Sequence, residues 1–415
     1  MRKILSILLI SSAVVVRAQN HISVDEYRRA VVDYSHTLRI ARSATLAAEE
    51  QAALSHTGLL PRLDAAGRFE VALRQHAGVK PFSFSVQPLV IQTIYAGGAR
   101  RATYESDRVG ADAALSDEFF TQYEVVYAAD DAYWNLAAAR DRLRITEQYV
   151  DIIRSLKRVV DARFENGYIS RSDVLMTDTR LSEAEYGLVA AEQAYQVALH
   201  NFNVLMGVEQ AVGNVPADSV MTVVEVPSRM VLDEILDRRG DFLASQLRVD
   251  QALIGVRLAR SAYLPQIAAG VGAVWQTRTP NTNWHTTIDG AVSLSVDVPI
   301  FGWGARRRSE AVARQQVAMR QNEHDQLRDQ IIRDETDAWS SIENSLSQSL
   351  ASRRNLDIAR ENLELSTYSY NEGQLTILDV LSAQLSWLQV YENALEAALN
   401  LHLAVADYRR VTSTE

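Results

Sequence analysis

Two aspartates, Asp173 and Asp379, are the residues whose type and spacing most suggest chemistry. They lie in two copies of one motif, at 163–175 and 369–381, which place an aromatic residue, a glycine and Asp-Val-Leu at the same spacing. Carboxylates that are held close together attract cations. An acid in the first turn of a helix is also stabilised by the helix dipole, so a purely structural role stays open.

The backbone around these aspartates has a simple interpretation. Gly167 and Gly373 favour the left-handed turn that ends a helix. Ser170 and Thr376 can then cap the helix that follows. Each motif therefore predicts the tip of a helical hairpin.

Other chemistry finds little support. The eight histidines are scattered without the spacing of metal ligands, and there is no cysteine. No Gly-x-Ser-x-Gly or phosphate-loop motif occurs. We expect no catalytic residue, metal or cofactor. With 42 basic and 52 acidic side chains, the chain is also a poor candidate for binding nucleic acid.

Arginines stand where predicted strands become helices. Cations oppose the dipole at the start of a helix, so an external partner such as anionic lipid or the membrane interface is one explanation, and a solvated basic turn is the other. Two tryptophans flank a predicted hairpin turn, where they could form an interfacial aromatic girdle or simply pack within the hairpin. The residues concerned are Arg100, Arg101, Arg306, Arg307, Trp275 and Trp284.

The first residues predict an exported protein. A basic start and a short apolar run indicate a signal peptide over 1–18. Without cysteine we expect no lipid anchor. No later apolar run reaches about 18 residues, so we expect any membrane insertion to use strands.

The rest of the chain is an internal duplication. The first repeat, 19–206, predicts a helix from the capping box at Ser23 to about Thr57, a strand pair over 61–96 and helices over 99–206. A connector, 207–230, precedes the second repeat, 231–415, with a helix, a strand pair over 265–301 and helices over 305–412. The turns of the strand pairs fall at 75–81 and 277–283.

The long helices carry coiled-coil patterns. A seam is predicted before the first tip, and rows that repeat every seven residues follow each tip. The seam comprises Ile145, Tyr149, Ile152, Leu156 and Val159. The seven-residue rows comprise Val174, Leu181, Leu188, Tyr195 and Phe202, and then Val380, Trp387, Ala394, Leu401 and Tyr408.

Four strands cannot close a membrane barrel, and an open sheet in lipid leaves its edges unsatisfied. Oligomers solve this problem, because two chains supply eight strands and three supply twelve.

The chain resembles the outer-membrane efflux protein family, the TolC-like channel-tunnels. The resemblance rests on Leu60-Pro61 with Leu264-Pro265, on Gly-Gly-Ala-Arg-Arg with Gly-Trp-Gly-Ala-Arg-Arg, and on the two tips. It implies an α+β membrane protein with long coiled-coil α-hairpins and four transmembrane strands per chain. The homotrimer would form a twelve-stranded barrel in the outer membrane, continued by an α-helical tunnel in the periplasm.

The resemblance also implies a function and partners. It implies a passive exit duct of a tripartite efflux or type I secretion system, for small molecules or polypeptides. A periplasmic adaptor and an inner-membrane pump would be the partners. The alternative is a soluble periplasmic coiled-coil scaffold or pump adaptor, but adaptors lack strand pairs inserted symmetrically between helices.

Particular residues acquire expected roles through the resemblance. It places Asp379 at the tunnel's constriction and Asp173 in the contacts that hold it closed, while Ser382 stands where some members carry a second aspartate. The tips would dock the adaptor through Gly167, Gly373, Asn166, Glu372, Leu175 and Leu381.

Overall fold

The computed structural model describes residues 20–71, 73, 82–209, 213–277 and 286–414. The predicted signal peptide, the two strand-pair turns apart from Thr277, and Trp284 lie outside the described residues. No helix in the described ranges is long and apolar enough to cross a membrane.

The same order of elements occurs twice. In the first repeat the elements are α1 (Val24–Tyr34), α2 (His36–Thr57), β2 (Arg62–Val71), β3 (Phe82–Ala96), α3 (Ala99–Glu165) and α4 (Arg171–Leu205). In the second they are α5 (Leu232–Arg238), α6 (Gly240–Ser261), β5 (Gln266–Thr277), β6 (Thr286–Asp297), α7 (Ala305–Asn371) and α8 (Ile377–Thr412). Two short strands, β1 (Asn20–Ile22) and β4 (Asn214–Pro216), pair in parallel.

The first helix of each repeat is broken, which corrects the prediction of continuous helices. Ser35 (ψ 118°) separates α1 from α2, and Arg239 (ψ 115°) separates α5 from α6. After the second break the chain passes so close to α3 that a Cβ on Gly240 would collide with the Ser116 carbonyl. Packing of this kind is a tertiary effect that overrides local helix propensity.

The chain divides into two compact units, and each takes segments from both repeats. The tip unit comprises the described parts of Met1–His36, Gln122–Arg229 and Asp334–Glu415. The sheet unit comprises Thr37–Thr121 and Met230–Arg333.

One antiparallel sheet, in the order β2-β3-β5-β6, dominates the sheet unit. Its register places Leu63 opposite Val90, Val90 opposite Val271, and Val271 opposite Val292. Directly paired residues point to the same face, so the sheet has one continuous apolar face. The other face is mixed, since Ile91 pairs with Arg62 and Val274 with Asp289. Leu63, Val271 and Val292 are all exposed. The edge strands β2 and β6 each pair on one side only among the described residues.

In the tip unit α8 buries its predicted seven-residue row, whereas the predicted α4 row is buried only at Val174 and Phe202. Leu181, Leu188 and Tyr195 of the α4 row are half-buried, and the α3 seam also needs a correction. The last helix buries Val380, Trp387, Ala394, Leu401 and Tyr408. On α3, however, Ile153 and Val160 are fully buried, whereas Val159 is 36 % exposed. The α3 seam therefore lies one residue further along than predicted at these two places, because adjacent apolar residues competed for the same buried position.

Polar contacts hold the connector against α3 and α8 within the tip unit. Asp141 of α3 is buried and accepts hydrogen bonds from Ser219 Oγ (2.5 Å) and the Val220 backbone N–H (3.1 Å). His402 of α8 donates to the Val220 carbonyl over 3.2 Å, and its ring stacks on Trp134 with centroids 3.5 Å apart. Burial lowers the pKa of His402 to about 4.

Candidate functional site

Both tips close with the same backbone hydrogen bonds. After α3, the Tyr168 N–H donates to the Arg163 carbonyl and the Gly167 N–H donates to the Phe164 carbonyl, each over 2.9 Å. This pair of bonds is the Schellman motif, which requires a left-handed residue, and Gly167 supplies it with φ 76°. After α7, Gly373 (φ 76°), Gln374, Ser369 and Tyr370 repeat the arrangement.

The two aspartates complete capping boxes. Ser170 Oγ accepts from the Asp173 N–H, and Asp173 Oδ2 in return accepts from the Ser170 N–H over 3.0 Å. Thr376 and Asp379 do the same, also over 3.0 Å. The Thr376 hydroxyl, followed by its backbone N–H, lowers the pKa of the Asp379 carboxyl. Within one chain, Asp379 is thus an ionised, exposed capping residue.

Arg163 joins the two tips, a role that sequence reasoning missed. Its guanidinium donates to the Tyr370 carbonyl (3.2 Å) and the Asn371 carbonyl (2.9 Å), and it lies 4.5 Å from the centroid of the Tyr370 ring. These carbonyls end α7, where a cation also interacts favourably with the helix dipole. The available signal was the unequal motif, which has Arg163 in one copy and Ser369 in the other.

Most of the predicted docking residues are exposed. Gly167, Gly373, Asn166, Glu372 and Leu175 lie on the surface of the tips, and Ser382 is exposed one turn after Asp379. Leu381 is the exception, because it is only 4 % exposed and packs inside the tip unit. It can support the tip but cannot present a contact surface, so Leu175 alone remains of the two leucines.

A groove of about 680 Å³ leads along α3 and α7 to the tips. Its walls include Ile152 and Val159 from α3, and Leu363 and Tyr368 from α7. Gln384 of α8 also lines it; this side chain is buried, and its Oε1 accepts no hydrogen bond. A buried acceptor without a donor is costly, so the groove offers a polar anchor point within an apolar channel.

A second candidate site lies in the sheet unit, where all four helix–strand junctions fall at one end of the antiparallel sheet. The residues 55–62, 97–108, 255–265 and 302–314 carry ten arginines, three carboxylates and no lysine. We call these arginines the arginine collar: Arg62, Arg100, Arg101, Arg108, Arg257, Arg260, Arg306, Arg307, Arg308 and Arg314.

Two glutamates neutralise part of the collar. Glu105 pairs with Arg257 (2.6 Å) and Arg101 (3.0 Å), and the hydrogen bond from Arg257, ahead of that from Arg101, lowers its pKa. Glu310 pairs with Arg306 (3.0 Å), which lowers its pKa in the same way, and with Arg314 (3.5 Å). The contribution of α6 to this cluster was missed, because pairing of β3 with β5 is needed to bring the elements together.

Trp275 lies near the opposite end of the sheet. Its ring is 43 % exposed and meets Phe84 edge to face, with centroids 5.5 Å apart. The packing explanation and the interfacial explanation of Trp275 thus both have a physical basis. Among the described residues, no group of three or more His, Asp or Glu could hold a metal ion.

Comparison with known proteins identifies relatives of this chain. The family model described as Outer membrane efflux protein matches residues 30–208 and 231–412. Outer membrane efflux protein BepC of Brucella suis biovar 1 is 24% identical over 315 residues, covering 73% of this chain and 67% of that protein. Pyoverdine export outer membrane protein OpmQ of Pseudomonas putida is 24% identical over 326 residues, covering 75% and 67%.

The fold is also found among solved structures. The CmeC outer membrane channel of Campylobacter jejuni matches with a TM-score of 0.83 at 16% identity, over 94% of this chain and 85% of that one.

Proposed function

The chain belongs to the outer membrane efflux protein family, and from this premise we propose that it is the exit duct of a tripartite efflux or type I secretion system. Its sheet lies in the outer membrane and its helical hairpins form a tunnel in the periplasm. The duct is passive, and an inner-membrane pump supplies the energy. The resemblance found from the repeated motifs is thereby confirmed at the level of the family.

The observation that supports the duct best is the sheet with one apolar face and two edge strands. An apolar face of this extent fits lipid, and lipid does not tolerate unpaired strand edges. Pairing β6 of one copy with β2 of the next satisfies both edges. Three copies then close a barrel of twelve strands, and the tunnel follows from the helices attached to it.

The pairing of β3 with β5 inside the chain supplies the register of this joint. Val90 pairs with Val271. In the duplication, Val90 corresponds to Val296 and Val271 corresponds to Gly67. Both Val296 and Gly67 belong to the apolar face, because Val296 pairs with Ile267 and Gly67 pairs with Val86. We therefore expect Val296 of one copy to lie opposite Gly67 of the next.

Cysteine pairs test this joint directly, because the chain has no cysteine. Gly67→Cys with Val296→Cys should form disulfides between copies, since directly opposed residues have Cβ atoms about 4.5–5.5 Å apart. Gly67→Cys with Asp297→Cys is the control, because Asp297 points to the other face. A monomer by light scattering in detergent, or equal crosslinking of both pairs, would contradict the trimer.

We further propose that the tips dock a periplasmic adaptor. The exposed Gly167, Asn166, Glu372 and Leu175 and the apolar groove beside them suit a helical hairpin of the adaptor. A cysteine at Leu175 should crosslink to the adaptor in cells, whereas one at Tyr186, exposed further along α4, should crosslink less. Equal crosslinking at both would argue against docking at the tip.

At the axis of the trimer, three Asp379 carboxylates surround the constriction, and Asp173 helps to hold it closed. Ser382 makes this a single acidic ring, so block by cations is modest and sensitive to salt. In the sheet unit, Trp275 marks the outer membrane interface.

Fractionation separates the duct from a soluble periplasmic scaffold. A scaffold washes off membranes in carbonate, whereas a barrel is released only by detergent. The exposed apolar face of the sheet favours the duct.

A further inference from the structure

Five of the ten residues of the arginine collar form no salt bridge with any described residue, Arg108 and Arg260 among them, and the other three stand at the starts of helices. Arg101, Arg257, Arg306 and Arg314 pair with the two glutamates, and Arg62 pairs with Asp64 over 2.7 Å. By contrast, Arg100, Arg307 and Arg308 are exposed and form no salt bridge with any described residue. They stand in the first turns of α3 and α7, where a cation opposes the helix dipole. The unfavourable interaction with the dipole is small at these exposed positions, and an anion bound from outside would offset it.

Large apolar side chains adjoin these arginines. Ile300 and Phe301 are 92 % and 75 % exposed, and Trp303 is 90 % exposed. The Phe301 and Trp303 rings contact each other, with centroids 4.9 Å apart. An aromatic pair beside unpaired arginines suits a boundary between charged head groups and hydrocarbon.

A neighbouring chain is not sufficient to cover this surface. In the first repeat, the counterparts of Ile300 and Phe301 are Ile94 and Tyr95, and here the adjacent strand β5 is already in place. Even so, Ile94 remains 61 % and Tyr95 44 % exposed. The equivalent joint between copies therefore leaves Ile300 and Phe301 largely exposed as well.

We propose that the arginine collar binds anionic phospholipids of the periplasmic leaflet of the outer membrane. The inference rests on the proposed function, which places the helical end of the sheet at that leaflet. Arg100, Arg307 and Arg308 bind the phosphates, and the guanidinium group is well suited to them because it donates several hydrogen bonds in one plane. Phe301 and Trp303 contact the adjoining glycerol and acyl region. A free phosphate would leave these apolar side chains in water, so a lipid fits the whole surface better.

Native mass spectrometry of the full-length protein in detergent tests the proposal. Phosphatidylglycerol and phosphatidylcholine with the same acyl chains are the probes. We expect the wild type to bind phosphatidylglycerol more tightly, and Arg307→Gln with Arg308→Gln to weaken that binding about 25-fold, at about fivefold per arginine. The preference should shrink as salt rises. Arg307→Lys with Arg308→Lys keeps the charge and should retain most of the binding.

The matched control removes two exposed arginines from the same helix at a distance from the collar. Arg354→Gln with Arg360→Gln changes the net charge equally and should leave lipid binding unchanged. Equal affinity of the wild type for both lipids would overturn the proposal, and so would an equal loss in the control. Inorganic phosphate that displaced phosphatidylglycerol at a similar concentration would identify a free-anion site and also overturn it.

The measured mass, together with conductance in planar bilayers, distinguishes a failure of this proposal from a failure of the proposed function. A monomeric mass, or no conductance in planar bilayers, would count against the duct. A trimeric, conducting protein without lipid preference would count against the collar alone.

Discussion

The two repeats make the same turn from strand to helix with different residues. In the first, Gly97 (φ 61°) and Gly98 (φ 84°) lead into α3; in the second, Trp303 (φ 51°) and Gly304 (φ 80°) lead into α7. A Cβ on Gly97 would lie 2.5 Å from the Ser261 carbonyl oxygen, so only glycine fits. Trp303 meets no such neighbour and is exposed. The backbone is therefore common to both repeats, and the side chain depends on what lies next to it.

The tips differ in the same way. Their Schellman motifs and capping boxes match, yet only the first tip carries the arginine that binds the other. Substitutions at positions where the repeats differ therefore test what each residue does in its own repeat.

The largest effect is expected at the crowded junction. Gly97→Ala adds a Cβ against Ser261 and Leu264 at positive φ. It should lower the free energy of unfolding by about 4 kcal/mol. About 1–2 kcal/mol comes from the left-handed backbone and about 1–3 kcal/mol from overpacking. Gly98→Ala is the control, because its φ is positive but its surroundings are open. The measurement is denaturant unfolding in detergent. If both variants lost the same free energy of unfolding, crowding at Gly97 would not distinguish the two junctions.

The next effect concerns pH and the core of the tip unit. Because burial lowers the pKa of His402 to about 4 from 6.5, the unfolded chain takes up the proton first as pH falls. The free energy of unfolding should therefore fall between pH 6.5 and pH 4, by about 3 kcal/mol from this residue. The groups around the ring are Trp134 of α3, the Val220 carbonyl and Asp218 of the connector, and Arg353 of α7.

His402→Gln installs the counterpart residue of the other repeat, Gln196. It should remove this part of the pH dependence, while His200→Gln, at an exposed position, should not. If the unfolding free energy of all three proteins depends on pH with the same slope, folding does not shift the pKa of His402.

A smaller effect is expected where the tips meet. Arg163→Ser places the counterpart residue Ser369 in the first tip and removes both hydrogen bonds to α7. We expect a local loss of about 2 kcal/mol. Spin labels at Tyr168 and Gln374 should report a broader distance distribution. Arg158→Ser, which loses only a contact to Ser155 on its own helix, should leave the distribution narrow. An unchanged distribution in Arg163→Ser would mean that the tips are held together elsewhere.

The smallest effect on stability, and the sharpest contrast, comes from the aspartates. As caps they are equivalent, so Asp173→Asn and Asp379→Asn should each cost about 1 kcal/mol. Planar-bilayer conductance should separate them. Asp379→Asn should reduce cation preference, whereas Asp173→Asn should raise resting conductance. If the two variants conduct alike, both residues are caps and nothing more.

The pH dependence of the Asp379 cap has a definite sign. Because Thr376 lowers the pKa of Asp379 below 3.8, its contribution is present above that pH and is lost as pH falls through the lowered pKa. Hydrogen exchange at the start of α8 should speed up on acidification below about pH 4 and not before. If hydrogen exchange in Asp379→Asn speeds up in the same way, a titrating group other than Asp379 is responsible.

Local patterns predicted the strands, the tips and the caps, because alternation, glycine and Ser/Thr–Asp spacing act within a few residues. The α3 seam could not be settled in the same way, since Ile152 and Ile153 are equally apolar and only the partner helix decides which is buried. The roles of Arg163 and His402 depend on carbonyls 207 and 182 residues away, and those contacts exist only after folding.

The duplication has an evolutionary consequence. In the proposed trimer, a mutation at position 97 alters three of the six strand-to-helix junctions, and a mutation at position 303 alters the other three. An ancestor assembled from six identical half-length chains would have had to accept every change at all six places at once. Joining two halves in one chain therefore allows each kind of junction and each kind of tip to change independently. Tryptophan could replace glycine at one junction, and arginine could be confined to one tip, without disturbing their partners.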